Sequence, residues 1–115
     1  MRLNFRFNRR GNLIVSLFEE GELITWDTLN RKIVFNFDKD PLDKIIFARF
    51  MPAQDSIITV KESGKIELLS NDNFVFLCHL EAERSILCAE MSNTKLFLLD
   101  GNANIIVVNL QDGAV

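Results

Sequence analysis

The chain of 115 residues carries 13 Lys and Arg against 16 Asp and Glu, a formal net charge of −3, and 48% of its residues are hydrophobic. This length and balance are typical of one globular domain, and they exclude a disordered tail, a collagen-like chain and a disulfide-rich mini-protein. The chain lacks the excess of basic residues that is typical of nucleic-acid-binding proteins. No apolar stretch approaches the ~20 residues of a membrane-spanning helix. We therefore expect neither nucleic-acid binding nor membrane insertion.

The two cysteines and the first twenty residues indicate a compartment. Cys78 and Cys88 belong to no CxxC motif and stand near no histidine cluster, which excludes a structural zinc site and suits a reducing environment. The basic first ten residues are followed too soon by Glu19 and Glu20 for the apolar core of a signal peptide. A cytoplasmic protein is predicted.

Short apolar runs separated by polar turns succeed one another along the whole chain. Several of them, such as 33–35 and 57–60, are rich in the β-branched and aromatic residues that favour strands. In chain order the predicted strands are 2–7, 13–18, 23–27, 33–37, 45–50, 57–60, 66–69, 74–80, 86–91, 96–99 and 105–108.

These predicted strands recur with a period of about 40 residues. Segment 20–27 aligns with 63–70, and segment 45–50 aligns with 86–91. Four short strands in a unit of roughly 40–45 residues are the signature of a propeller blade. We therefore predict an all-β fold of four-stranded antiparallel blades, forming one incomplete propeller domain over 1–115. Its repeats span about 1–40, 41–81 and 82–115, and the third holds three strands.

The repeats resemble those of the WD-repeat β-propeller family. The first carries the dipeptide Trp26-Asp27 after a turn at Gly21, and Phe50-Met51-Pro52 in the second resembles the family's Phe-Ser-Pro turn. The family's Gly-His dipeptide is absent from this sequence. The resemblance implies a non-catalytic protein–protein interaction scaffold in a larger assembly, with other protein subunits as partners. Further blades or self-association would complete the propeller.

Two segments also satisfy the rules for helices, near 41–51 and 81–91. Asp40 followed by Pro41 is a good helix start, and the apolar residues after it follow helical spacing. The alternative prediction is therefore a small α+β domain with a ligand-binding or regulatory role. The alignment of three repeats favours the propeller.

The sequence offers no catalytic constellation. The single histidine, His79, follows Cys78 directly, and neighbouring residues of a strand point to opposite faces. No phosphate-binding glycine loop occurs. We predict a protein that is not an enzyme, with no catalytic residue, no cofactor and no metal site.

Charges separate between the two ends of the predicted blades. The turns between second and third strands, with the loops between blades, hold ten acids against three basic residues, whereas the opposite end has a basic excess. Such a field steers charged partners, so this acidic surface is a candidate docking site for basic segments of another protein, and ordinary loop solubility explains it equally well. Its residues are Glu19, Glu20, Glu22, Asp38, Asp40, Asp43, Glu62, Glu81, Glu83 and Asp100.

Three charged residues occupy one position in successive first strands, which line the channel of a propeller. These are Arg6, Arg49 and Glu90. We predict a structural ion pair between Arg49 and Glu90 on the channel wall, with an anion site as the alternative.

Overall fold

The computed structural model describes residues 3–52, 55–70, 73–80 and 85–110. These residues form eleven strands and no helix, and therefore no helix able to cross a bilayer. In chain order the strands are β1 (Leu3–Phe7), β2 (Leu13–Phe18), β3 (Leu23–Asp27), β4 (Lys32–Phe37), β5 (Ile45–Phe50), β6 (Ile57–Lys61), β7 (Lys65–Ser70), β8 (Asn73–His79), β9 (Ile86–Ser92), β10 (Lys95–Asp100) and β11 (Ile105–Asn109).

The strands pair into three antiparallel sheets, and each strand bonds to the next one along the chain. Blade 1 holds β1 to β4, blade 2 holds β5 to β8, and blade 3 holds β9 to β11. The registers make residues of different blades equivalent: Phe7 lies opposite Ile14 in blade 1 as Phe50 lies opposite Ile57 in blade 2. The predicted all-β fold of blade-like sheets is confirmed, and the three described sheets do not close into a ring.

The alternative α+β fold, with helices near 41–51 and 81–91, is wrong. Ile45–Phe50 forms β5 and Ile86–Ser92 forms β9. Each of these strands pairs with the strand that follows it, and this pairing, together with burial of its apolar side chains, outweighs a local helix preference. Residues 81–84 lie outside the described part of the chain.

The helix-start signal at Asp40 belongs to a turn instead. Its carboxylate accepts a hydrogen bond from the Leu42 N–H at 3.0 Å, as an N-cap would. Its carbonyl oxygen accepts the Asp43 N–H at 3.3 Å, which closes a single turn. The chain then enters β5, so a capping residue here shapes the loop between two blades.

Two apolar clusters join neighbouring blades. The first, between blades 1 and 2, includes Val15, Leu17, Leu23, Phe50, Ile57 and Leu69. The second, between blades 2 and 3, includes Phe47, Ile58, Ile66, Ile86, Leu96 and Val108. The side of a blade that meets the preceding blade is its front face, and the side that meets the following blade is its back face. Because side chains alternate along a strand, β6 of blade 2 serves both clusters and is buried on both faces.

Loops emerge at two opposite ends of the blades. The acidic end carries the turns between second and third strands and the connections between blades. The basic end carries the remaining turns. Gly21, in an acidic-end turn, has φ +96° and lies so close to the start of blade 2 that an added Cβ would be 2.9 Å from the Lys44 Cβ. Glycine is therefore required there both by the backbone angle and by the neighbouring blade.

Candidate functional site

The three first strands form one wall, which borders a cavity of about 460 Å³. All three column residues, Arg6, Arg49 and Glu90, line this cavity. Arg49 and Glu90 form an ion pair through Nη1 and Oε1. Arg6 is exposed, and its Nη1 donates a hydrogen bond to the Phe5 carbonyl oxygen at 2.8 Å. On this wall the charged residues of blades 2 and 3 thus form an ion pair, whereas Arg6 of blade 1 is exposed to solvent.

Arg49 is held in place by more than its charge partner. Its guanidinium carbon lies 5.0 Å from the centroid of the Phe47 ring, within range of a cation–π contact. Its side chain is largely covered, whereas that of Glu90 is mostly exposed. The guanidinium thus contacts a carboxylate and a ring, and its Nε is buried with no hydrogen-bond partner among the described residues.

At the acidic end, most of the predicted docking residues lie at or near the surface. Glu19, Glu20 and Asp38 are exposed, and Glu22, Asp40 and Glu62 are half-buried. Glu81 and Glu83 lie outside the described residues.

Lysines reach the same loops and neutralise part of this charge. The Lys39 Nζ lies 2.6 Å from Glu20 Oε2. This hydrogen bond and charge lower the pKa of Glu20 and raise that of Lys39. Lys44 and Lys39 line a cavity of about 240 Å³ together with Glu20, Asp40 and Glu62. This surface therefore carries less negative charge than the residue count from the sequence indicated, because that count did not include Lys44.

Besides Asp40, two more of the predicted docking carboxylates bond within the loops. Asp43 accepts hydrogen bonds from the Ser63 N–H at 2.9 Å and from its hydroxyl at 2.6 Å, which ties the loop before blade 2 to a turn of that blade. Asp100 is buried, and its Oδ1 accepts the backbone N–H groups of Asn102 and Asn104. The carboxylates of Asp43, Asp100 and Asp40 are thus engaged within loops.

The basic end contains a contact between blades that sequence reasoning missed. Asn8 is buried and donates from Nδ2 to Asp55 Oδ1 at 2.8 Å, across blades 1 and 2. Arg10 donates to Asp55 Oδ2, also at 2.8 Å. These bonds, the one from Asn8 foremost, lower the pKa of Asp55. Only three-dimensional structure reveals this contact, because both turns are ordinary polar segments in sequence.

Trp26 takes part in a polar contact inside blade 1. Its Nε1 donates to the Ser16 hydroxyl oxygen at 3.0 Å, and that hydroxyl donates to the Ile24 carbonyl oxygen at 3.2 Å. In blade 2 the equivalent Thr59 hydroxyl donates to the Glu67 carbonyl oxygen, also at 3.2 Å. The hydroxyl of the second strand thus repeats from blade to blade.

The front face of blade 1 is open among the described residues. Phe7 is 62% exposed, whereas its blade 2 equivalent, Phe50, is 6% exposed. Phe5, Ile14 and Trp26 line an apolar groove of about 390 Å³ on this face. Two further positions show the same contrast. Ile14 and Trp26 are half-buried in blade 1, whereas their blade 2 equivalents, Ile57 and Leu69, are buried.

The back face of blade 3 is open in the same way. Phe97 is 38% exposed and Ile105 is 70% exposed, whereas their equivalents Ile58 and Ile66 are fully buried in blade 2. Val107, beside Phe97 on the neighbouring strand, is also exposed. Contiguous apolar surface of this kind marks sites of protein interaction. Among the described residues, the chain therefore has one open apolar face at each end of the row of blades.

Among the residues that the structure describes, Cys78 and His79 are the candidates for nucleophilic chemistry that the sequence offers. Cys78 is half-buried, and burial raises the pKa of its thiol, which disfavours the thiolate. His79 is exposed at the next position of β8. Within the described ranges no three His, Cys, Asp or Glu side chains are grouped to hold a metal ion.

Comparisons with known proteins find likeness in structure alone. No family model matches the chain, and no curated protein matches it. A chain in the S. cerevisiae structure of Dbp5 bound to Nup159, Gle1, IP6 and ADP is similar with a TM-score of 0.75 at 14% identity, over 96% of this chain and 31% of that one. The computationally designed Ika8 protein gives 0.67 at 17% identity, over 95% of this chain and 33% of that one.

Hsv2 of Kluyveromyces lactis gives a TM-score of 0.59 at 17% identity, over 91% of this chain and 40% of that one. The chain thus spans between 31% and 40% of the length of these three solved chains. Hsv2 is a β-propeller. At such identities the likeness concerns the fold, which is all-β and β-propeller-like.

Proposed function

We propose that this chain is a non-catalytic protein–protein interaction scaffold, built of WD-repeat-like blades and acting within a larger cytoplasmic assembly. Its partners are other protein subunits, which cover its end faces and supply the blades that the described sheets lack. The Trp26–Ser16 bond supports the WD-repeat-like character, because it links the Trp-Asp strand to a hydroxyl of the preceding strand.

The observation that carries the proposal is the contrast between Phe7 and Phe50. Two equivalent phenylalanines are 62% and 6% exposed, and the second owes its burial to the preceding blade. Covering Phe7 to the same degree would remove on the order of 110 Å² of apolar surface from water, which favours docking by about 3 kcal/mol. An apolar face with this potential gain suits a partner rather than solvent.

The acidic end supplies a second, polar docking surface in this proposal. Glu19 and Asp38 are exposed there, and we propose that they attract basic segments of the bound subunits. Attraction between exposed charges is screened by salt within about 10 Å at 0.1 M ionic strength. Binding through this surface is therefore salt-sensitive, and more so than the burial of apolar side chains at the end faces.

The proposal is tested by purifying the tagged full chain from cells that express it and quantifying the proteins that accompany it. The double variant Phe7→Ser/Ile33→Ser removes two exposed apolar side chains from the front face. Leu42→Ser is the matched control, because Leu42 is 93% exposed in a loop away from both end faces. We expect the double variant to lose associated subunits at least tenfold and the control to keep them. Unchanged association in both variants would contradict the proposal.

A further inference from the structure

We infer that the open back face of blade 3 docks on the open front face of blade 1 in a second copy of this chain. The inference rests on the proposed function and identifies one partner of the end faces as the chain itself. The contact is head to tail, so each copy uses one end face toward each neighbour, and repeated contacts produce a ring when the rotation closes.

The first argument is continuity with the two interfaces inside the chain. In both of them the back face of one blade meets the front face of the next. The back-face residues of blade 1 in the first cluster include Val15, Leu17 and Leu23. Their register equivalents in blade 3 are Phe97, Leu99 and Ile105, all apolar. A second copy that places blade 1 there therefore repeats the existing interface with like residues.

The second argument is charge complementarity on the inner wall. Inside the chain, Arg49 of blade 2 pairs with Glu90, which occupies the equivalent position of blade 3. The proposed contact places Glu90 of one copy beside Arg6 of the next, because Arg6 occupies that position in blade 1. The Glu90 side chain is 66% exposed and Arg6 is exposed, so both can reach across the contact. Opposite charges thus meet at this seam as they do between blades 2 and 3.

The number of blades fixes the expected size of the ring. Propellers typically close with four to eight blades. Two copies supply six described blades and three copies supply nine, so a dimer falls within this range and a trimer exceeds it. The expected species has about twice the 13.2 kDa mass of the chain.

A native thiol provides a direct test of the contact. Cys88 is exposed on the back face of blade 3 and is equivalent to Phe47, a member of the cluster between blades 2 and 3 against which Ala89 packs. Phe5 is the blade 1 equivalent of Ala89, so Phe5→Cys places a second thiol across the seam. The variant also carries Cys78→Ser, which leaves Cys88 as the one native thiol. A short bismaleimide is added to the purified full chain at micromolar concentration, and covalent dimer is measured on a denaturing gel.

The matched control for cross-linking is Leu42→Cys in the same Cys78→Ser background, because Leu42 is highly exposed and lies in the connection between blades 1 and 2. We expect at least tenfold more covalent dimer from the Phe5→Cys variant than from the control, and loss of that dimer when Cys88→Ser is added. Equal dimer in both variants, or none in either, overturns the inference.

Sedimentation of the purified chain gives an independent measurement. We expect a concentration-dependent dimer whose dissociation constant rises at least tenfold in Ile105→Lys and changes less than twofold in the control Leu42→Lys. A chain that stays monomeric throughout overturns the inference. If the chain is monomeric but the Phe7→Ser/Ile33→Ser variant still loses cellular subunits, self-docking fails and the proposed scaffold stands. If the chain dimerises but this variant keeps its cellular subunits, self-docking stands and the proposed scaffold fails.

Discussion

Equivalent residues of two blades provide the most direct energetic test of the fold. Phe50 and Phe7 occupy the same register position, at 6% and 62% exposure. Truncating a buried phenylalanine to alanine costs about 3–5 kcal/mol of the free energy of unfolding. The neighbours of Phe7 cover roughly 40% as much side-chain surface as the neighbours of Phe50 do. Phe7→Ala should therefore cost about 1–2 kcal/mol of the free energy of unfolding. We expect the two substitutions to differ by about 2–3 kcal/mol although their chemistry is identical.

The measurement is urea unfolding of the chain at a concentration below self-association, followed by far-ultraviolet circular dichroism. Leu42→Ala is the control, because truncating an almost fully exposed side chain should shift the free energy of unfolding by less than about 0.5 kcal/mol. Equal costs for Phe7→Ala and Phe50→Ala would refute the reasoning. Two large values would mean that the front face of blade 1 is already covered, and two small values would mean that blades 1 and 2 do not pack.

Two further predictions concern the ends of the blades. Gly21→Ala should lower stability by roughly 2–4 kcal/mol in thermal melts, because alanine is strained at positive φ and its Cβ would overlap the Lys44 Cβ; no loss would contradict the close approach. The pKa of Asp55 lies below its ordinary 3.8 in the folded chain, chiefly through the Asn8 hydrogen bond. Its contribution to stability is therefore present above about pH 4 and is lost as pH falls through the lowered pKa. Asp55→Asn should flatten that part of an acid titration followed by circular dichroism, and an unchanged titration would count against the contact between the blades.

Most of the fold could be predicted from the repeat pattern of the sequence. Strands such as 57–60 consist of β-branched residues, three of the four apolar, and this strand is buried on both faces. The same alignment placed Arg49 and Glu90 at equivalent positions of neighbouring blades, and the structure pairs them. The periodicity also outweighed the helix-start signal at Asp40, which is a local feature that a loop can equally use.

Contacts between different blades could not be predicted from one sequence. The hydrogen bond from Asn8 to Asp55 joins residues 47 positions apart, and neither turn carries a motif. Asp43 and Asp100 illustrate the reverse difficulty, because a carboxylate in a polar loop has the same sequence signature whether it faces solvent or bonds to nearby backbone N–H groups. Sequence therefore assigned these acids to an end of the blade but could not assign their bonding.

The position of blade 2 has a consequence for how the chain loses its structure. In the part of the chain that the structure describes, strand pairing joins consecutive strands, so these contacts are local in sequence, and the packing between blades is a nearest-neighbour term. Each outer sheet can then open while the rest stays folded, but opening the central sheet removes both clusters at once. Amide protons of β6 should exchange with solvent only through global unfolding, whereas those of β4 and β11 exchange through fraying of the outer sheets. The row of blades is thus most persistent in its middle and most dynamic at the two faces offered to partners.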